Sequence, residues 1–125
     1  MIQSKPPLLV AVVEDDAPSR TALGRLLLAA GFDPVLFESA EAYLDASPAP
    51  TCLVVDVKLP GMSGIELRHS LAGANSTTPV VFITAHDDDR TRDEALAAGC
   101  VAYLRKPFDT AQLFAALERG RGSRE

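Results

Sequence analysis

Five short apolar runs, at residues 8–13, 32–37, 52–55, 79–83 and 101–104, recur along the 125-residue chain, separated by stretches of helical periodicity. No other feature restricts the fold as much. Continuous Val, Leu and Ile runs of this length read as strands covered on both faces, and strands alternating with helices imply a parallel sheet with helices on each side. All strands of such a sheet end at one edge, where ligands bind in open α/β folds.

The intervening stretches carry their own start and stop signals. Pro18 suits a first helical turn capped by Asp16 or Ala17, and the stripe Leu23, Leu26, Leu27, Ala30 stopped by Gly31 places a helix over 17–30. Ser39 opens a short second helix, and Ile65, Leu67 and Leu71 mark a third that ends at Gly73. The acids Asp87, Asp88 and Asp89 favour the start of a fourth that closes at Gly99, and Asp109 caps a fifth with Leu113, Phe114 and Leu117 inward. Pro34 assigns the second strand to a sheet edge. Residues 8–119 hold the whole pattern, which predicts one domain; residues 1–7 read as an N-terminal extension and the Gly/Arg-rich 120–125 as a tail or linker start.

A formal net charge of −5 argues against a nucleic-acid-binding surface. No apolar run reaches the roughly 18 residues of a membrane span, and the N-terminus lacks a signal peptide's apolar centre, so a cytoplasmic location is expected. Cys52 and Cys100, the two cysteines, read as small core hydrophobes rather than a disulfide or metal pair.

Polar groups collect at the strand ends: Glu14 and Asp15 after the first run, Asp56 after the third, Thr84 after the fourth and Lys106 after the fifth. Taken singly, an Asp here is a turn former, a Thr an ordinary strand residue and a Lys a solvated one. Taken together they converge on one crevice. In a doubly wound sheet of order 2-1-3-4-5 the first and third strands are neighbours, so Asp15 and Asp56 face each other across the switch point. Crowded carboxylates repel unless a cation or protons neutralise them, and an oxygen-only set open to water suits Mg²⁺. A metal-bound carboxylate with a nearby hydroxyl and ammonium is what in-line phosphoryl transfer to an Asp requires. Pro107 constrains how Lys106 is aimed; a cis bond between them, found at only about 5–6% of X–Pro bonds, stands as a hypothesis beside trans.

The segments 12–16 (VVEDD), 56–64 (DVKLPGMSG), 82–85 (FITA) and 103–108 (YLRKPF) resemble the receiver domains of bacterial two-component response regulators, of the CheY-like superfamily, most closely those of the FixJ type. The resemblance spans nearly the whole chain. It implies a flavodoxin-like (βα)5 domain in which Asp56 takes a phosphoryl group from a sensor histidine kinase. Glu14 and Asp15 would be the acidic pair, with Asp15, Asp56 and the Lys58 backbone carbonyl around Mg²⁺, for which Mn²⁺ can substitute. Thr84 and Lys106 would contact the phosphoryl group, and Tyr103 would be the aromatic switch, against its residue-based reading as an aromatic half buried at the last helix. Glu14 stands where many members have Asp, lengthening the reach at equal charge.

The side chains of Lys58 and His86 would flank the path of attacking water, although His86 by itself reads as an exposed loop histidine. The output face would comprise the fourth helix, fifth strand and fifth helix, where Arg90, Arg92, Asp93, Glu94, Arg105, Glu118 and Arg119 are expected to pair across a phosphorylation-dependent homodimer or to another protein. Such a domain regulates rather than turning over substrates. A haloacid-dehalogenase-like phosphatase is the rival, but it wants an acid where Lys58 stands. A receiver-like module that is never phosphorylated would lack the acids or the lysine, and flavodoxin-like FMN binding is opposed by the acidic first loop.

Overall fold

A computed structural model describes residues 7–123. Residues 1–6 of the expected extension and 124–125 of the expected tail lie outside the described residues. Strands and helices alternate without exception: β1 Leu9–Val13, α1 Ala17–Ala29, β2 Asp33–Phe37, α2 Ala40–Ala46, β3 Cys52–Asp56, α3 Gly64–Gly73, β4 Val80–Thr84, α4 Asp89–Ala98, β5 Ala102–Arg105 and α5 Thr110–Ser123. All pairings are parallel, in the order β2-β1-β3-β4-β5. This is the doubly wound sheet expected from the sequence.

Period-two alternation divides the core between the two faces of the sheet. Val10, Val12, Val54, Ile83 and Leu104 pack against Leu23 and Leu27 of α1 and Leu113 and Leu117 of α5. Ala11, Val13, Val55 and Phe82 meet Tyr43 of α2, Leu67 of α3 and Ala95 of α4. Every residue of β3 and β4 is buried, as central strands require, whereas β2 at the edge carries Pro34 and none of its residues is buried.

The helices begin where their caps dictate. Asp16 Oδ2 accepts from Ser19 N at 3.0 Å, Ser39 Oγ from Ala42 N at 3.0 Å, Asp88 Oδ1 from Thr91 N at 2.7 Å and Asp109 Oδ1 from Ala111 N at 2.9 Å. Ser63 and Glu66 form a reciprocal capping box on α3. α3 ends at Gly73, as expected, and is followed by Asn75 in the left-handed region at φ 62°. α5 continues to Ser123, past the tail boundary expected at 120, because Gly120 is a packing residue. A Cβ there would stand 3.2 Å from Pro79 Cβ and 3.3 Å from Cys52 Sγ. Both cysteines are free, Cys52 buried and Cys100 half-buried.

Candidate phosphoacceptor site

The register of the sheet assembles the site. Val13 pairs with Val55, so Glu14 emerges beside Asp56, and Thr84 pairs with Arg105, so Lys106 follows at the same edge. Glu14 is 1% exposed and Asp56 7%, while Asp15 opens to solvent. One carboxylate oxygen from each of Glu14, Asp15 and Asp56 lies within 4.8 Å of the others. Lys106 Nζ donates to Asp56 Oδ2 at 3.1 Å and also to Glu14 Oε1. The second Asp56 oxygen, Oδ1, accepts from the Lys58 backbone N–H at 3.0 Å.

These contacts set the charge balance. Burial pushes the Glu14 carboxyl above its usual range; the Lys106 hydrogen bond opposes this, and the neighbouring Asp56 adds to the rise. For Lys106, burial alone would lower the ammonium, but hydrogen bonds to Glu14 and Asp56 outweigh it and the group titrates higher than usual. One ammonium therefore serves two buried carboxylates. Glu14 Oε2 is buried without a hydrogen-bond partner, a costly condition for a carboxylate oxygen. A hard divalent cation with its waters answers that deficit, and the all-oxygen donor set with one exposed member fits Mg²⁺.

Neighbouring loops brace the site. Arg20 Nη1 donates to the Glu14 carbonyl at 2.8 Å, and Lys106 N donates to the Thr84 carbonyl at 2.7 Å. The Lys106–Pro107 peptide is cis. The turn after β3 is held by Glu41 of α2, whose Oε2 accepts from Met62 N at 2.9 Å beside Gly61 at φ +72°.

Thr84 is fully buried, and its Oγ1 accepts from His86 N at 3.0 Å; the His86 and Lys58 residues are exposed. Tyr103 is half-buried, but on the face opposite the one read from sequence. Leu104 faces α5, so its neighbour Tyr103 packs with the α2–α4 core instead, and its hydroxyl donates to Asp87 Oδ1 at 3.1 Å. Several charges expected to reach another molecule have partners within the chain: Arg90 with Glu94 at 3.0 Å, Arg92 with Asp87 at 2.8 Å and Arg105 with Asp87 at 3.8 Å.

Sequence reasoning missed Arg20, Glu41, Gly64 and Asp87. Gly64 is buried at the start of α3, and its N–H donates to the Val57 carbonyl at 3.0 Å. A glycine directly after the Ser63 cap is the available signal.

The profile of the response regulator receiver domain matches residues 10–118. The transcriptional regulatory protein FixJ of Bradyrhizobium diazoefficiens is 40% identical over 111 residues, covering 87% of this chain and 54% of that protein. The DNA-binding transcriptional regulator NtrC of Escherichia coli is 36% identical over 113 residues, 89% of this chain and 24% of that protein. The crystal structure of FixJ-N superposes with a TM-score of 0.86 at 33% identity, covering 97% of this chain and 96% of that one. The chain spans about half the length of the FixJ relatives it matches. It belongs to the response regulator receiver domain family.

Proposed function

We propose that Asp56 is the phosphoacceptor of this receiver domain and that a sensor histidine kinase supplies the phosphoryl group from a phosphohistidine. The observation that carries this is the near-buried Asp56 carboxylate, bonded to Lys106 and clustered with Glu14 and Asp15. An Asp56 oxygen attacks phosphorus in line as the bond to the histidine nitrogen breaks; the nitrogen keeps the electron pair and an acyl phosphate remains on Asp56. Lys106 offsets charge on the phosphoryl oxygens, and Thr84 turns its hydroxyl from His86 N to donate to one of them. Glu14, Asp15, Asp56 and the Lys58 carbonyl would hold Mg²⁺, or Mn²⁺ in its place. That ion supplies charge neutralisation on the transferring group.

Phosphorylation replaces the Asp56 carboxylate with a group of about two negative charges and more acceptor oxygens, and so draws in the loops bearing Thr84 and Lys106. The signal leaves through Tyr103 and the α4–β5–α5 face, which controls an output domain or closes a homodimer. Water passing Lys58 and His86 ends it. The domain catalyses only its own phosphorylation and dephosphorylation. This reading places it in the cytoplasm beside its kinase; among the described residues no helix is long and apolar enough to cross a membrane.

Incubation with acetyl phosphate and Mg²⁺, followed by intact-mass measurement, tests the assignment. One phosphoryl group should add to the wild-type chain and none to Asp56→Asn. An equal gain in the variant would defeat it.

A further inference from the structure

Asp87 stands apart from the two acids that follow it. Asp88 caps α4 and Asp89 lies exposed in its first turn, whereas the Asp87 side chain is only 9% exposed. Its Oδ2 accepts from Arg92 Nη2 at 2.8 Å and lies 3.8 Å from Arg105 Nη1, and its Oδ1 accepts from the Tyr103 hydroxyl at 3.1 Å. The Arg92 guanidinium also sits 5.8 Å from the centre of the Tyr103 ring. One carboxylate thus ties together the β4–α4 loop, α4 and β5. Three residues upstream, the same loop begins at Thr84, whose hydroxyl oxygen accepts from His86 N.

We propose that Asp87 is a positioning residue, a latch that holds the β4–α4 loop and Tyr103 in the unphosphorylated arrangement and opposes the movement of Thr84 toward a phosphoryl group. The inference rests on the reading that Thr84 meets that group. Drawing the Thr84 hydroxyl toward Asp56 pulls it from His86 N, and the short connection to Asp87 carries the displacement to the latch. An equilibrium between two arrangements moves only through interactions that differ between them. In this proposal the Asp87 contacts to Tyr103, Arg92 and Arg105 are such interactions, because they tie the loop that follows Thr84 to α4 and β5. Burial, and then the Asp87 hydrogen bond, push the Tyr103 hydroxyl up to about 12, so it keeps its proton and remains a donor.

Coupling is reciprocal: if phosphorylation opens the latch, opening the latch must favour phosphorylation. The test measures beryllofluoride binding in the presence of Mg²⁺ by calorimetry, for wild type, Asp87→Ala, Tyr103→Phe and the double variant. Circular dichroism checks folding, and Asp87→Leu, which also lacks an acceptor for the Tyr103 hydroxyl, substitutes if the alanine variant does not fold. Each single variant should bind about tenfold more tightly than wild type, within the usual range of allosteric coupling. The double variant should gain no more than the tighter single one, since both changes remove the same bond. Unchanged or weakened binding in either single variant, or gains that multiply in the double, would overturn the latch. Failure of the wild-type protein to bind beryllofluoride would overturn the phosphoacceptor reading, and the latch with it.

Discussion

Gly64 lies directly beneath Asp56: a Cβ built on Gly64 would overlap the Asp56 main-chain carbonyl oxygen and stand 3.1 Å from Val57 Cα. The start of α3 therefore rests against the backbone that carries the Asp56 carboxylate. The obstruction is main chain, which has no rotamer through which to yield.

Gly64→Ala must therefore separate α3 from the end of β3. We expect a loss of roughly 1–3 kcal/mol, the usual cost of overpacking, read from denaturant unfolding. Phosphorylation by acetyl phosphate should slow as well, because the Asp56 carboxylate moves with its backbone. Wild-type stability in this variant would show that the contact relaxes freely.

Metal binding should show as stabilisation, since a ligand that binds only the folded chain raises the unfolding temperature. Mg²⁺ should raise it for the wild type and not for Asp15→Asn. Asp15 is exposed and its charge repels Glu14 and Asp56, so its substitution should not lower the metal-free transition. An equal Mg²⁺ shift in both proteins would remove Asp15 from the ligand set.

Lys106→Gln should slow phosphoryl acceptance roughly a hundredfold, the scale of losing one electrostatic donor at a reacting centre. It also leaves Glu14 and Asp56 without their shared counter-charge, at a cost of about 1–3 kcal/mol in the metal-free protein. Mg²⁺ should recover part of that stability. Rate and stability equal to wild type would place Lys106 outside the site.

The alkaline titration of the tyrosines has a defined sign. Tyr103 is raised to about 12 by burial first and by Asp87 second, so its contribution to stability is complete below the ordinary value of 10.0 and is lost as pH climbs through about 12. In Tyr43→Phe, which leaves Tyr103 as the one tyrosine, the tyrosinate absorbance should rise well above pH 10 while circular dichroism remains native. A midpoint near 10 in the folded protein would mean that Tyr103 is neither buried nor bonded to Asp87 in solution.

The sheet was legible because β1, β3 and β4 are buried on both faces and so appear as unbroken apolar runs. The caps Ser39 and Asp109 were legible too, since they act on N–H groups two or three residues away. What escaped was determined by contacts distant in sequence. Gly120 resembled a linker glycine until α5 met Pro79 and Cys52, and Gly64 resembled a turn glycine until it met Asp56. Composition does not distinguish a glycine that breaks a helix from one that permits close approach. The acidic run suited a helix start as a group, but only tertiary packing separates the capping Asp88 from Asp87, which gathers Tyr103, Arg92 and Arg105. The carboxylates, Thr84 and Lys106 could be grouped beforehand because parallel strands end at one edge.

The assignment of Asp56 is tested most directly by reducing the phosphorylated protein with borohydride, which converts an aspartyl phosphate to homoserine, and locating the product by peptide sequencing in the mass spectrometer. The account predicts homoserine at position 56 alone, dependent on Mg²⁺. Homoserine at position 15, or phosphorylated protein that yields none, would contradict it.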